Sequence, residues 1–210
     1  MCGVYQSWIE DEEMTAIAER EKKGNTERYL RVKEVFPGQR TLVLYGGNYF
    51  LRMREMIWGY PMPDDTGTAS IILGIDGSYV DTREGYKGKK GNLILHARAE
   101  TVMEKRLFRE DAAKRRIVIP TSGYMEWSPE KQKYQIGQEP VYLAGIYHAF
   151  GEQERFVILT TRPTPQLARI HDRMPLVLSR EEMESWLYDD LFSREKLKRG
   201  NIKELCAYAV

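Results

Sequence analysis

The chain has 210 residues, enough for one domain with a full core. Its 32 Lys and Arg are offset by 31 Asp and Glu, which excludes a global pull toward nucleic acid or membrane surfaces and leaves only local patches for anions. Two cysteines, Cys2 and Cys206, lie at opposite ends, so no disulfide framework is indicated and a reducing, cytoplasmic setting is expected. There is no apolar run long enough to cross a bilayer and no secretory signal pattern.

Taken in order, residues 4–9 read as a short strand. Glu10 to Lys23 reads as a helix, with acidic residues at its start, Arg20, Lys22 and Lys23 at its end, and Gly24-Asn25 as its stop. Val35-Phe36-Pro37-Gly38 is a turn before a strand at Thr41–Tyr45. Gly46-Gly47-Asn48 then signals a hairpin with its return strand over Tyr49–Trp58. Gly59 to Gly91 is punctuated by Gly, Pro and Asp and reads as an extended surface segment with one strand near Ser70–Ile75.

Asn92–His96 reads as a strand and Val102–Ala113 as a helix. Arg116–Pro120 is a buried strand, Thr121-Ser122-Gly123 a turn, and Tyr124–Trp127 the next short run. Lys133–Ile136, Val141–Ala149 and Phe156–Thr161 read as a three-stranded meander. Ser179 with Glu182 is a capping box ahead of a helix striped by Met183, Trp186 and Leu187. A second short helix, Ser193–Arg199, ends at Gly200. Cys206, in an apolar run, reads as a small buried hydrophobe. The sum is an α+β fold on a curved, mostly antiparallel sheet or open barrel.

Met1-Cys2-Gly3 is the stretch with the most chemistry. Removal of Met1 would leave a residue carrying an amine (reference pKa about 7.7–8.0) and a thiol (about 8.5) on adjacent carbons. Such a group can trap an aldehyde as a Schiff base and close a thiazolidine ring, or attack an amide through sulfur.

Three further regions carry candidate chemistry. His171, in Ile170-His171-Asp172-Arg173-Met174-Pro175, has Asp172 beside it and is suited to proton exchange. Glu126, between Met125 and Trp127, is a carboxylate placed for desolvation. Arg98, Lys105, Arg106, Arg109, Lys114, Arg115 and Arg116 form the densest basic region, where phosphates could be held. His148 reads as structural. No metal-ligand pattern, phosphate loop or dinucleotide fingerprint is present, so neither metal nor cofactor is expected.

Four motifs occur in order: Met1-Cys2-Gly3, His96-Ala97-Arg98-Ala99-Glu100-Thr101, Pro120-Thr121-Ser122-Gly123-Tyr124-Met125-Glu126-Trp127, and Ile170-His171-Asp172-Arg173-Met174-Pro175. Together they resemble the SOS response-associated peptidase family, and the resemblance spans nearly the whole chain. It implies a single α+β domain, residues 1–210, on a barrel-like core, acting as a monomer on abasic sites in single-stranded DNA. Cys2 would form a thiazolidine crosslink with the ring-opened sugar, and Met1 would be lost by self-processing or to an aminopeptidase. Glu126 would manage protons at the forming ring, and His171 would promote sugar opening. Arg98 and Arg106 would contact phosphates. His96, Trp127 and Arg173 would line the DNA cleft.

The chain departs from that pattern in four places. His96 stands where the family has an asparagine that positions the sugar, Val4 where an arginine is common, and Glu34 near a usual asparagine. Pro61-Met62-Pro63-Asp64-Asp65 replaces a tryptophan expected after Trp58-Gly59-Tyr60. Two other readings fit the same residues: a non-catalytic single-strand binder, and an N-terminal cysteine amidohydrolase, which would need an Asn-Gly element this sequence lacks.

Overall fold

Five strands close on themselves at the centre of the molecule. The computed structural model describes residues 2–7, 12–21, 33–47, 50–62, 71–73, 79–81, 93–137, 140–201 and 204–210. In chain order the elements are β1 (Val4–Ser7), α1 (Glu12–Glu21), β2 (Lys33–Val35), β3 (Arg40–Gly46), β4 (Leu51–Trp58), β5 (Tyr60–Pro61), β6 (Ile71–Leu73), β7 (Tyr79–Asp81), β8 (Leu93–Ile94) and β9 (His96–Arg98). Then come α2 (Arg109–Lys114), β10 (Arg116–Trp127), β11 (Lys133–Ile136), β12 (Val141–Phe150), β13 (Gln153–Thr161), β14 (Met174–Pro175), β15 (Val177–Leu178), α3 (Glu182–Tyr188), α4 (Asp190–Arg199) and β16 (Ala207–Ala209). Strands β12, β13, β4, β3 and β10 lie side by side, and β10 pairs back onto β12. The ring therefore has no open edge, and only its β13–β4 contact is parallel. This is the mostly antiparallel, barrel-cored α+β fold expected from the strand pattern.

Alternation along the strands sorts the core into two layers. Val43, Trp58, Ile117, Leu143 and Phe156, one from each barrel strand, share an apolar cluster with Cys2 and Tyr5. The alternate residues Leu44, Met53, Val118, Ala144 and Val157 pack instead with Met14 and Ile17 of α1, Trp186 of α3 and Leu197 of α4. The first cluster fills the barrel; the second joins its outer wall to the helices. The capping box is present, with the Ser179 amide donating to Glu182 Oε2 at 3.0 Å and the Glu182 amide to Ser179 Oγ at 3.3 Å. Gly200, at φ +74°, follows α4.

Four local expectations are corrected. Thr121-Ser122-Gly123 does not end a strand: β10 runs through it for twelve residues and changes partners there. Its first half pairs with β12 and β3, its second with β1 and β11. A bulge at Ser122 and Gly123, at φ +152°, make the corner. The segment 102–113 is a 3-10 turn at Ala99–Thr101, further turns, and the short α2. Val102 and Phe108 both pack on the outer core, and six residues at 3.6 per turn would set them about 240° apart on one helix. β11 pairs with β10 and β16, not with β12, so the meander has two strands rather than three. Cys206 is exposed, beside the edge strand β16, while its neighbour Leu205 takes the buried position. The expected features at Trp8–Asp11, Lys22–Asn25, Asn48-Tyr49 and most of 63–92 lie outside the described residues.

Candidate active site

Strand β1 is held on both edges, and that fixes where Cys2 goes. Val4 pairs with Met125 and Tyr5 with Tyr124 on one side, and Tyr5 pairs with Val35 on the other. Continuing the first register leads Cys2-Gly3 alongside Glu126-Trp127. The Tyr5 ring meets Trp58 edge-on with centroids 5.2 Å apart, and Trp58 meets His96 at 6.0 Å and 80°. Trp58 Nε1 donates to the Leu95 carbonyl at 3.2 Å, and His96 sits on β9, in register with Ile158 of β13. The Cys2 backbone lies near the His96 ring and favours its protonated form, against the larger effect of burial. His171 arrives from the other direction. Leu167 and Ile170 are buried in the same inner cluster as Cys2, and the His171 amide donates to the Leu167 carbonyl at 3.0 Å.

Cys2 and Glu126 are both buried. Cys2 is 1% exposed, and its Sγ lies 3.5 Å from the Val4 carbonyl. Burial, reinforced by the Glu126 charge, pushes the thiol well above its ordinary range. At neutral pH it is therefore a thiol rather than a thiolate and needs a base when it reacts. Glu126 is buried, with its Oε1 accepting the Trp127 amide at 3.3 Å. Burial pushes Tyr124, which also feels Cys2 and Glu126, well above its usual range. His96 is pushed down to about 4 by burial, with the neighbouring His171 charge acting in the same direction, so its ring is neutral at physiological pH.

His171 has two competing partners at one atom. Its Nδ1 lies 2.7 Å from the Asp172 carboxylate and 3.1 Å from the Arg173 amide. A protonated Nδ1 can donate only to Asp172, and a bare Nδ1 can accept only from Arg173. Both protonation states thus have a ready partner, which suits a residue that passes a proton back and forth.

The expected DNA-contacting residues divide by environment. Arg98, at the end of β9, and Arg106 are exposed. Trp127 is 40% exposed, with Lys133 Nζ 5.8 Å above its ring. Arg173 is committed within the protein: its guanidinium donates twice to Glu100, at 2.9 and 2.7 Å, and to the Thr160 carbonyl at 2.7 Å. The structure thus brings Cys2, His96, Glu126 and His171 together and sets Arg98, Trp127 and Arg173 on the segments beside them, with Arg106 farther along the chain. Sequence reasoning missed Tyr5, Trp58, Tyr124 and Glu100. The aromatics gave a faint signal as large residues on alternating strand positions; Glu100, inside a motif that was read for its arginine, gave none.

Among the described residues, no group of three or more His, Cys, Asp or Glu could hold a metal ion, and no helix is long and apolar enough to cross a membrane.

The arrangement is a closed barrel that buries Cys2 near the Glu126 carboxylate and the His96 ring, with His171 next to His96. The chain belongs to the SOS response associated peptidase (SRAP) family, whose model matches residues 1–210. It is similar to the abasic site processing protein YoqW of Bacillus subtilis, 26% identical over 89% of this chain and 80% of the relative. It is equally similar to the abasic site processing protein YedK of Escherichia coli, 26% identical over 93% and 83%. Its fold is shared by a crystal structure of a protein from Bacteroides thetaiotaomicron, with a TM-score of 0.68, 21% identity, and coverage of 100% and 92%.

Proposed function

We propose that this chain processes abasic sites in single-stranded DNA, joining Cys2 to the ring-opened sugar as a thiazolidine once Met1 has left. One observation supports the reading: residues far apart in sequence come near one another, with Glu126 acting on buried Cys2 and His171 acting on His96 beside it. Two relatives named as abasic site processing proteins point to the same substrate.

The steps follow from the groups present. The Cys2 amine adds to the C1 aldehyde, and His171 supplies the proton that lets the carbinolamine oxygen leave as water. The thiol then adds to the imine carbon; its proton passes through Glu126 to the ring nitrogen. The balance is aldehyde plus amino-thiol giving thiazolidine and one water. Holding the sugar through Arg98 and Arg106 raises the effective concentration of aldehyde at the amine, and an unpaired strand removes the cost of extruding a base from a duplex. Residues 1–210 act as one domain and as a monomer in the cytoplasm. Met1 is removed by Cys2 itself or by an aminopeptidase.

The test is a denaturing gel after incubating Met1-free protein, verified by intact mass, with an abasic single-stranded oligonucleotide. A covalent band that vanishes in Cys2→Ala supports the reading. Processed wild-type protein that gives only a native-gel shift overturns the crosslinking and leaves a binder.

A further inference from the structure

His96 Nε2 is buried and makes no hydrogen bond. Burial pushes the ring down to about 4, so at neutral pH it is uncharged, with a proton on one nitrogen and a lone pair on the other. With the proton on Nδ1, Nε2 is an acceptor with nothing to accept. Edge-on contact with Trp58 and the pairing of β9 with β13 hold the ring in place. A desolvated acceptor with nothing to accept costs stability, on the order of 1–3 kcal/mol. Such a group is better explained by a partner that arrives with the substrate.

An abasic sugar brings that partner. In its closed form the anomeric carbon carries a hydroxyl and is bonded to the ring oxygen, and it shows no aldehyde until the ring opens. We infer that His96 is a second proton-handling residue of this site: its Nε2 takes the anomeric hydroxyl of the closed sugar, and His96 and His171 open the ring as a pair. This rests on the abasic-site reading above.

The step balances without any added reagent. His171, protonated and supported by Asp172, gives its proton to the ring oxygen as the C1–O bond breaks, and the bonding pair stays on that oxygen. The anomeric oxygen closes the C=O bond as its own proton passes to His96 Nε2. One proton has crossed from one imidazole to the other, and the net charge of the pocket is unchanged. The low basicity of His96 fits this task. A base that stays unprotonated through neutral pH keeps its lone pair available, and the group it deprotonates becomes a protonated carbonyl, a far stronger acid than any imidazolium. His96 then passes its proton back to His171, which is recharged to release the carbinolamine oxygen as water.

The experiment compares two single-stranded oligonucleotides, one with a true abasic site and one with an aliphatic aldehyde on a linker lacking the hydroxyl needed for ring closure. His96→Phe keeps a ring against Trp58 but removes both nitrogens. The expected result is a crosslinking rate on the abasic strand reduced roughly 10²-fold more than on the linker-aldehyde strand, the second strand registering whatever the substitution does to Cys2 itself. His96→Gln, which restores an acceptor oxygen, should recover part of the loss on the abasic strand alone. Equal slowing on both strands, or no slowing on either, overturns the proposal. If His96→Phe does not fold, the same ratio is read from His96→Gln, where equal effects on both strands overturn it. Failure of wild-type protein to capture either aldehyde would instead sink the crosslinking reading itself.

Discussion

Arg173 grips Glu100 through two parallel hydrogen bonds of 2.9 and 2.7 Å, and so fastens the segment bearing His171 to the 3-10 turn that follows β9. Partial burial acts against ionisation of Glu100, but the bonds and charge of Arg173 win and hold its carboxyl below the ordinary 4.5. A folded-state value lower than the unfolded one means the pair stabilises the fold above about pH 4.5, and that contribution fades as pH falls through the depressed value. Glu100→Gln should therefore lower the melting temperature at pH 7 and converge with wild type as the pH falls through the depressed value. It should also slow aldehyde capture, because His171 loses its anchor. Identical melting curves at pH 7 would show that the pair holds nothing.

The two cysteines should differ sharply toward an alkylating reagent. Cys206 is exposed, whereas Cys2 is 1% exposed with its thiol pushed up by burial and the nearby Glu126. Iodoacetamide at pH 7.5, followed by peptide mass spectrometry, should label Cys206 in the native protein and Cys2 only after unfolding. Early labelling at Cys2 would mean that the pocket is open.

Gly123 should not tolerate a side chain. Its φ of +152° is a glycine conformation, and an added Cβ would lie 2.7 Å from the Ile136 carbonyl oxygen and 2.8 Å from that of Gly137. The corner is also pinned by Thr121 Oγ1, which accepts the Gly123 amide at 3.0 Å and donates to the Gln6 carbonyl at 2.5 Å. Gly123→Ala is expected to destabilise by about 2 kcal/mol or more in urea unfolding, and to disturb β1, and Cys2 with it.

Trp127 should matter for grip rather than chemistry. Aromatic stacking on an unpaired base contributes about 1–3 kcal/mol, and this ring is exposed beside Glu126 with Lys133 over its face. Trp127→Ala is expected to weaken single-strand binding about tenfold while leaving the capture rate at saturating DNA unchanged. A fall in the saturated rate would place the ring in the reaction instead.

How much of this could be read from sequence depended on the range of the interactions. The hairpin of β3 and β4, the capping box at Ser179 and the end of α4 are local, and the residues declare them. The pocket was legible only as separate motifs, because nothing in a string of residues states that β1 threads between β2 and β10. Pro120 and Gly123 misled for a physical reason: the residues that end strands also let one strand swap neighbours at a barrel corner. Cys206 was misplaced because an apolar run at an edge strand looks like one in a core. The role of Glu100 emerges only when Arg173, far along the chain, folds onto it.

Closing the ring sets Trp58 beside Phe156, and the pocket also awaits His171, so nearly the whole polypeptide must leave the ribosome before the site exists. Contacts of such long range form slowly. A chain cut before β13 would therefore lack the barrel wall that buries Cys2, however much of the sequence around the cysteine it retained.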